Sequence, residues 1–198
     1  MHEIKQERCL SPFKGDRTYQ QGGDLMDALR PFVNFDACSD ISVSFSGMID
    51  SNAFTMLSVV NGDLPDGKYF VRGKACRDDG EVNFAIIKDD EEDVILSPVE
   101  FDESKIIASA DFSEGKAAFG VVNSDFSLME ILVALNKEML RRTVPKDGKY
   151  LFVKIDIKKF FTPAHVMLEL VSNMNNKMFR TRVSGDGAVL GDIYFTLV

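Results

Sequence analysis

The chain contains the same succession of segments twice, and a duplicated unit constrains a fold more than any single motif does. GGDLMDALRPF, Gly22 to Phe32, has a near-echo in FSLMEILVALN, Phe126 to Asn136. Each places one acid, Asp27 or Glu130, after a Leu-Met pair and before an apolar helical run. After the first come DISVSFSGMID, AFTMLSVVNGD, GKYFVRGKACRDDG and EVNFAIIKDD; after the second come KYLFVKIDIKKFF, HVMLELVSNMNN, KMFRTRVSGDG and AVLGDIYFTLV. A turn recurs as well: Asp79-Gly80 and Asp186-Gly187 stand between the last two segments of each copy, the composition of a short hairpin.

The alternation in Ile41-Ser42-Val43-Ser44-Phe45, and again from Phe152 to Ile157, has the period of strands with one buried face. Leu128, Met129, Leu132, Val133, Leu135 and Met139 recur instead at helical spacing, in a run free of Pro and Gly. Ser124 and Asp125 are candidate N-caps for that helix, and Arg141-Arg142 suit its C-terminal end. So apolar a helix calls for enclosure on most sides, which a sheet wrapped around it provides. Each unit therefore reads as a helix followed by four antiparallel strands. An opening strand is expected at Lys105 to Phe112 in the second unit, and Ile4 to Leu10 could supply a shortened one in the first.

The run Asp89-Asp90-Glu91-Glu92-Asp93 divides the copies, because a block of like charge repels itself and stays solvated. It sets the expected units at residues 1–92 and 93–198. Consecutive acids lack the glycine-containing spacing of a calcium loop, so no metal site is expected. With 198 residues and 45% hydrophobic content, the chain can bury a substantial core. A net charge of −8, without a basic stripe, disfavours nucleic acid as a partner. No apolar run approaches the ~20 residues that span a bilayer, and MHEIKQERCLSPF lacks the apolar middle of a signal peptide, so a soluble cytoplasmic protein is expected. Cys9, Cys38 and Cys76 are odd in number and lack CxxC spacing, which argues against a disulfide framework or structural zinc.

Strand, long enclosed helix and four antiparallel strands keep the order of the hot-dog fold, and the chain resembles its 3-hydroxyacyl-(acyl carrier protein) dehydratase branch. In the second copy KYLFVKIDIKKFFTPAHVMLEL resembles that family's strand, its aromatic-basic-proline corner and the next strand; MFRTRVSGDGAVLGDIYFTLV resembles its closing hairpin. VSFSGMIDSNAFTML and GKYFVRGKACRDDGEVNFAII match in the same order in the first copy, and SPFKGDRTYQQGGDLMDA resembles the loop entering the helix. The resemblance implies an α+β double hot-dog, two tandem units paired as an internal pseudo-dimer. It also implies a thioester-linked acyl ligand, carried by coenzyme A or by the phosphopantetheine of an acyl carrier protein, with no other cofactor.

In that family a loop His acts as base, and an Asp or Glu on a partner helix faces it; Asp27 and Glu130 stand roughly where that helix acid stands. The loop His precedes a Phe-Pro-Gly step, whereas this chain has Pro12 before Phe13-Lys14-Gly15, and its second copy has Lys116 near the matching distance. The only histidines are His2 and His165. Without the loop His, ordinary dehydration lacks half of its acid/base pair.

Three readings of Asp27 and Glu130 stay open: acids favouring the positive end of a helix dipole, site carboxylates as in hot-dog thioesterases, or acids held by a partner such as Arg30. His165 reads first as a corner residue, and the methionines of both helices as adaptable core. Lys137, Arg141, Arg142, Lys146, Lys149, Lys158 and Lys159 form the densest basic region, either solvated surface or a docking patch for phosphates or an acidic carrier helix. Three functions are compatible with this pattern: an acyl-thioester enzyme using Asp27 or Glu130, a catalytically degenerate acyl binder or partner subunit, and a filled scaffold without ligand.

Overall fold

The computed structural model describes residues 3–89, 94–122, 124–144 and 146–198. The chain divides into two compact units, Met1–Phe101 and Asp102–Val198. The boundary expected at 92/93, and all of the acidic run but Asp89, lie outside the described residues. The Asp89 carboxylate accepts a hydrogen bond from the Arg8 guanidinium.

The first unit consists of β1 (Ile4–Leu10), α1 (Gly22–Val33), a 3-10 turn (Phe35–Ala37), β2 (Ser39–Phe45), β3 (Ala53–Val60), β4 (Val71–Arg77) and β5 (Gly80–Lys88). The opening strand at Ile4 to Leu10 is complete, and it pairs antiparallel with β3 from Ile4↔Val59 to Leu10↔Ala53. Leu25, Met26, Leu29, Phe32 and Val33 bury one stripe of α1. Pro31 falls in its last turn, and Asn34 ends it in the left-handed conformation, its N–H donating to the Arg30 carbonyl.

The second unit consists of α2 (Glu103–Ala108), β6 (Asp111–Ser113), β7 (Lys116–Gly120), α3 (Leu128–Thr143), β8 (Tyr150–Lys159), β9 (His165–Met174), β10 (Met178–Gly185) and β11 (Ala188–Leu197). The strand expected at Lys105 to Phe112 is helix over its first half, and only its last two residues, Asp111 and Phe112, are strand. Asp102 caps α2 by accepting from the Ser104 N–H at 3.0 Å, and Ile106 anchors that turn in the core. The opening strand is β7, which pairs with β9 after a tight hairpin through Gly115 at φ +66°. α3 is enclosed as its composition requires, with every residue from Leu128 to Asn136 except Glu130 buried. Its N-cap is Ser127, not Ser124 or Asp125.

Strand order separates the two units. The second runs β6-β7-β9-β10-β11-β8, whereas the first runs β1-β3-β5-β4-β2, so its closing hairpin lies the other way round. The connections explain this. β9 turns into β10 through three residues, with Asn175 and Asn176 at positive φ, so the two strands must be neighbours. β3 and β4 are joined by Asn61–Phe70, ten residues able to reach ~33 Å, more than the ~27 Å of an eight-residue strand. This connection returns along the unit and delivers β4 beyond β5, with Val71 opposite Ile86.

Its path is anchored at both ends. Asn61 at φ +54° donates through Nδ2 to the Asp79 carbonyl at 2.8 Å and accepts from the Glu81 N–H at 3.1 Å, at the β4–β5 turn. Leu64 then packs with Leu57, Val59 and Ala85, beside Tyr69 and Ile87. Successive strand residues alternate faces, so these side chains lie opposite Phe84, whose ring meets Phe35 just after α1 at 5.4 Å. β3 is therefore buried on both faces from Ala53 to Val59.

Candidate functional site

In each unit the positive end of the helix and the loop leading into it are where the resemblance puts the chemistry. In the second unit Glu130 is the third residue of α3. Its N–H donates to Ser127 Oγ at 3.1 Å, while Glu130 Oε2 accepts from the Ser127 N–H at 2.7 Å. This reciprocal pair satisfies two amides that a helix start leaves without intrahelical partners.

Counted from the helix start, the residue matching Glu130 in α1 is not Asp27 but Asp24. The Gln21 N–H donates to Asp24 Oδ2 at 3.2 Å, and the Lys14 ammonium lies 2.7 Å from Oδ1. The Asp24 side chain retains 8% of its exposure and that of Lys14 23%, so the pair is shielded from screening by solvent. Asp27 sits nearly one turn further along, half-buried. Arg30 pairs with Asp36 at 3.0 Å.

The loop carrying Lys14 is built rather than loose. Gln20, 2% exposed, donates through Nε2 to the Ser11 carbonyl at 2.6 Å and accepts from Ser11 Oγ at 3.2 Å. Gly15 donates to the Val99 carbonyl and Val99 to the Phe13 carbonyl, both at 2.9 Å, which ties the loop to the end of the unit. Gly15 has φ +60°, and a Cβ there would lie 3.3 Å from the Phe101 carbonyl oxygen. The Arg17 guanidinium stacks 4.8 Å from the Phe101 ring centroid. Lys116, by contrast, is the first residue of β7 and pairs with Glu169 at 2.9 Å; it is in a strand, not in the loop before α3.

The remaining candidates are largely spent on structure. His165 begins β9, 79% exposed, with Nδ1 3.8 Å from Asp186 Oδ1. The Asp186 carboxylate accepts from the Ala164 and His165 N–H groups, each at 2.9 Å, and these bonds hold its pKa below the usual carboxylate range. Cys38 is buried, its thiol donating to the Asn34 carbonyl, and burial pushes its pKa up; burial does the same to Cys9. Neither favours a thiolate. In the basic region Lys137 pairs with Glu103 at 2.6 Å and Arg142 with Glu138 at 2.8 Å, while the Arg142 guanidinium lies over Phe112. No cluster of three potential metal ligands occurs among the described residues, and no helix there is long and apolar enough to cross a membrane.

Among the described residues, cavities border these elements at three places. Beside the start of α3, Leu128, Leu132, Ile157, Phe160, Val183 and Leu190 line a space of only 10 Å³, so side chains fill it. A 330 Å³ hollow is lined by Phe112, Ser113, Glu114, Arg142 and Thr143, and a 660 Å³ cavity opens on the first unit beneath the β3–β4 connection. Neither Asp27 nor Glu130 lines any of the three. Lys14 and Asp24 were the pair missed by sequence reasoning. The Leu-Met echo drew attention to Asp27, while the true cap offered only Gln21-Gly-Gly-Asp24, without the usual Ser or Thr.

No protein-family model matches the sequence, and no curated protein matches it either. Solved structures do. A proposed thioesterase II from Thermobifida fusca matches with a TM-score of 0.55 and 10% identity, over 98% of this chain and 92% of that one. A fusion DH domain matches with a TM-score of 0.53 and 11% identity, over 98% and 87%. The dehydratase domain of PpsC from Mycobacterium tuberculosis, determined in complex with C12:1-CoA, matches with a TM-score of 0.51 and 9% identity, over 98% and 93%. At these identities the likeness establishes a hot-dog fold with antiparallel strands and few helices, and nothing of its chemistry.

Proposed function

We propose that this hot-dog chain binds acyl thioesters, presented by coenzyme A or an acyl carrier protein, without the histidine-based dehydration of the branch it resembles. The observation that carries this reading is the Lys14–Asp24 pair at 2.7 Å, in the loop and helix start where that branch keeps its base. Removing an α-proton needs a lone pair, and an ammonium held by a carboxylate has none to offer. Both cap carboxylates are likewise engaged by backbone amides. What remains suits binding: an ammonium and helix N–H groups can donate to a thioester carbonyl without transferring a proton. The likeness to a dehydratase domain in complex with an acyl-CoA supports the ligand class. The duplicated order of segments, and matches across 98% of the chain, support a pairing of the two units as an internal pseudo-dimer.

One observation favours a second reading. Asp27 lies beyond the capping residues on α1 and is half-buried, so hydrolysis with water oriented by this carboxylate is the alternative. Native mass spectrometry of the purified chain, followed by titration with acyl- and enoyl-CoA, separates the two. The binding reading expects a retained or titratable acyl thioester with neither hydration nor hydrolysis. Turnover abolished by Asp27→Asn or Glu130→Gln replaces it with the enzyme reading. No binding of any acyl thioester sinks both and leaves a structural or partner subunit.

A further inference from the structure

We propose that the β3–β4 connection of the first unit builds a second binding site, on the sheet face opposite α1, for a small amphipathic carboxylate. The connection covers β3 and β5 only in part. It packs Leu64 onto the sheet, then leaves a 660 Å³ cavity before Phe70 rejoins it, within the ~300–1,000 Å³ typical of small-molecule sites. Ile4, Leu57 and Ile87 from three neighbouring strands make an aliphatic floor, and Tyr69 and Phe70 make an aromatic wall. Of that wall, the Tyr69 ring is half-buried against the cluster of Leu57, Val59, Leu64 and Ala85, which holds it in place.

Charge at the mouth selects the head group. Lys68 and Lys88 border it, and among the described residues Lys68 has no carboxylate partner; its ammonium lies 5.9 Å from the Phe70 ring centroid. Lys88 is held by Asp50 at 2.9 Å. Asp66 borders the same mouth, so a singly charged carboxylate fits better than a phosphate dianion. The site depends on the connection that sets the first unit apart. β9, the counterpart of β3, leaves Met167 and Val171 exposed, and its three-residue turn builds no wall above them.

The test uses the full chain and the fluorescent anion 8-anilinonaphthalene-1-sulfonate, displaced by decanoate or by decyl phosphate. Decanoate is expected to displace the probe and to shift the methyl resonances of Ile4, Leu57 and Ile87. Ile4→Trp and Lys68→Glu change exposed positions, so the fold is kept, and each should weaken decanoate by up to about fivefold. Met167→Trp on the second unit should leave it unchanged. Tighter binding of decyl phosphate overturns the carboxylate assignment; undiminished binding in both first-unit variants, or equal weakening by Met167→Trp, overturns the site. Asp27→Asn and Glu130→Gln should leave decanoate binding intact, so failure of the thioester reading and failure of this one are distinguishable.

Discussion

β3 and β9 hold the same place in the two repeats, yet AFTMLSVV is buried throughout its first seven residues while HVMLELVSNM alternates buried and exposed at its start. Neither strand's own pattern accounts for the difference. The outgoing connection does, with ten residues after β3 and three after β9. The long connection covers the second face of β3 and reverses the closing hairpin, so one duplicated sequence order supports two strand orders. Local pairing rules hold in both, because antiparallel partners remain antiparallel when a hairpin is turned end for end.

The largest expected effect comes from removing that difference. Replacing Asn61–Phe70 by Asn-Asn-Lys, the turn of the second unit, should abolish cooperative folding of the first unit, read as loss of its slow-exchanging amides. β4 cannot then reach its place beyond β5. Retention of a native exchange pattern would show that the length of the connection does not set the strand order. Leu64→Ala should cost about 2–3 kcal/mol, since Leu64 is the buried anchor of the connection. Met167→Ala on the exposed face of β9 should change the free energy of urea unfolding by less than about 0.5 kcal/mol.

The two Asp-Gly steps sharpen the contrast. In β10–β11 Asp186 and Gly187 are the two central turn residues, at φ +49° and +82°, and nothing lies within 4 Å of a Cβ added at Gly187. In β4–β5 the turn residues are Asp78 and Asp79; Gly80 comes next at φ +135°, where an added Cβ would overlap the Asn61 side chain. Gly80→Ala should therefore destabilise by about 2–3 kcal/mol and Gly187→Ala by about 1 kcal/mol in chemical denaturation. Ser127→Ala, which removes the α3 cap, should cost about 1 kcal/mol.

The smallest effect is a pH dependence. Asp186 has its folded pKa lowered by two backbone N–H donors, against an ordinary value of 3.8. Its contribution is thus present above about pH 4 and lost as pH falls through the lower folded value. Asp79, lowered by its hydrogen bonds from Arg77, behaves likewise in the first unit. Urea midpoints between pH 7 and pH 2 should fall less steeply in Asp186→Asn than in the parent chain, and an unchanged slope would remove Asp186 from the account.

Much of the architecture was legible in residue order. Period-two runs marked the post-helix strands, the continuous apolar stretch marked an enclosed α3, and the recurrence of both marked two units. Ile106-Ile107-Ala108 misled, because a six-residue helix held by its Asp102 cap leaves too few turns for a helical period to register. The Leu-Met echo set Asp27 against Glu130, and the buried positions Leu25, Met26, Leu29, Phe32 and Val33 match Leu128, Met129, Leu132, Leu135 and Asn136 in that register. The caps do not follow it: from the helix start the two acids differ by three residues, because Gln21 caps one helix and Ser127 the other.

Most elements, their order and their repetition follow from residue order, since backbone period, caps and turn residues act between near neighbours. Which strand lies beside which, the reach of Lys14 to Asp24 and the cover that the β3–β4 connection gives a sheet face arise in the folded chain alone. Those outcomes depend on contacts between residues ten or more positions apart, where the length and path of the chain count for more than the character of any residue.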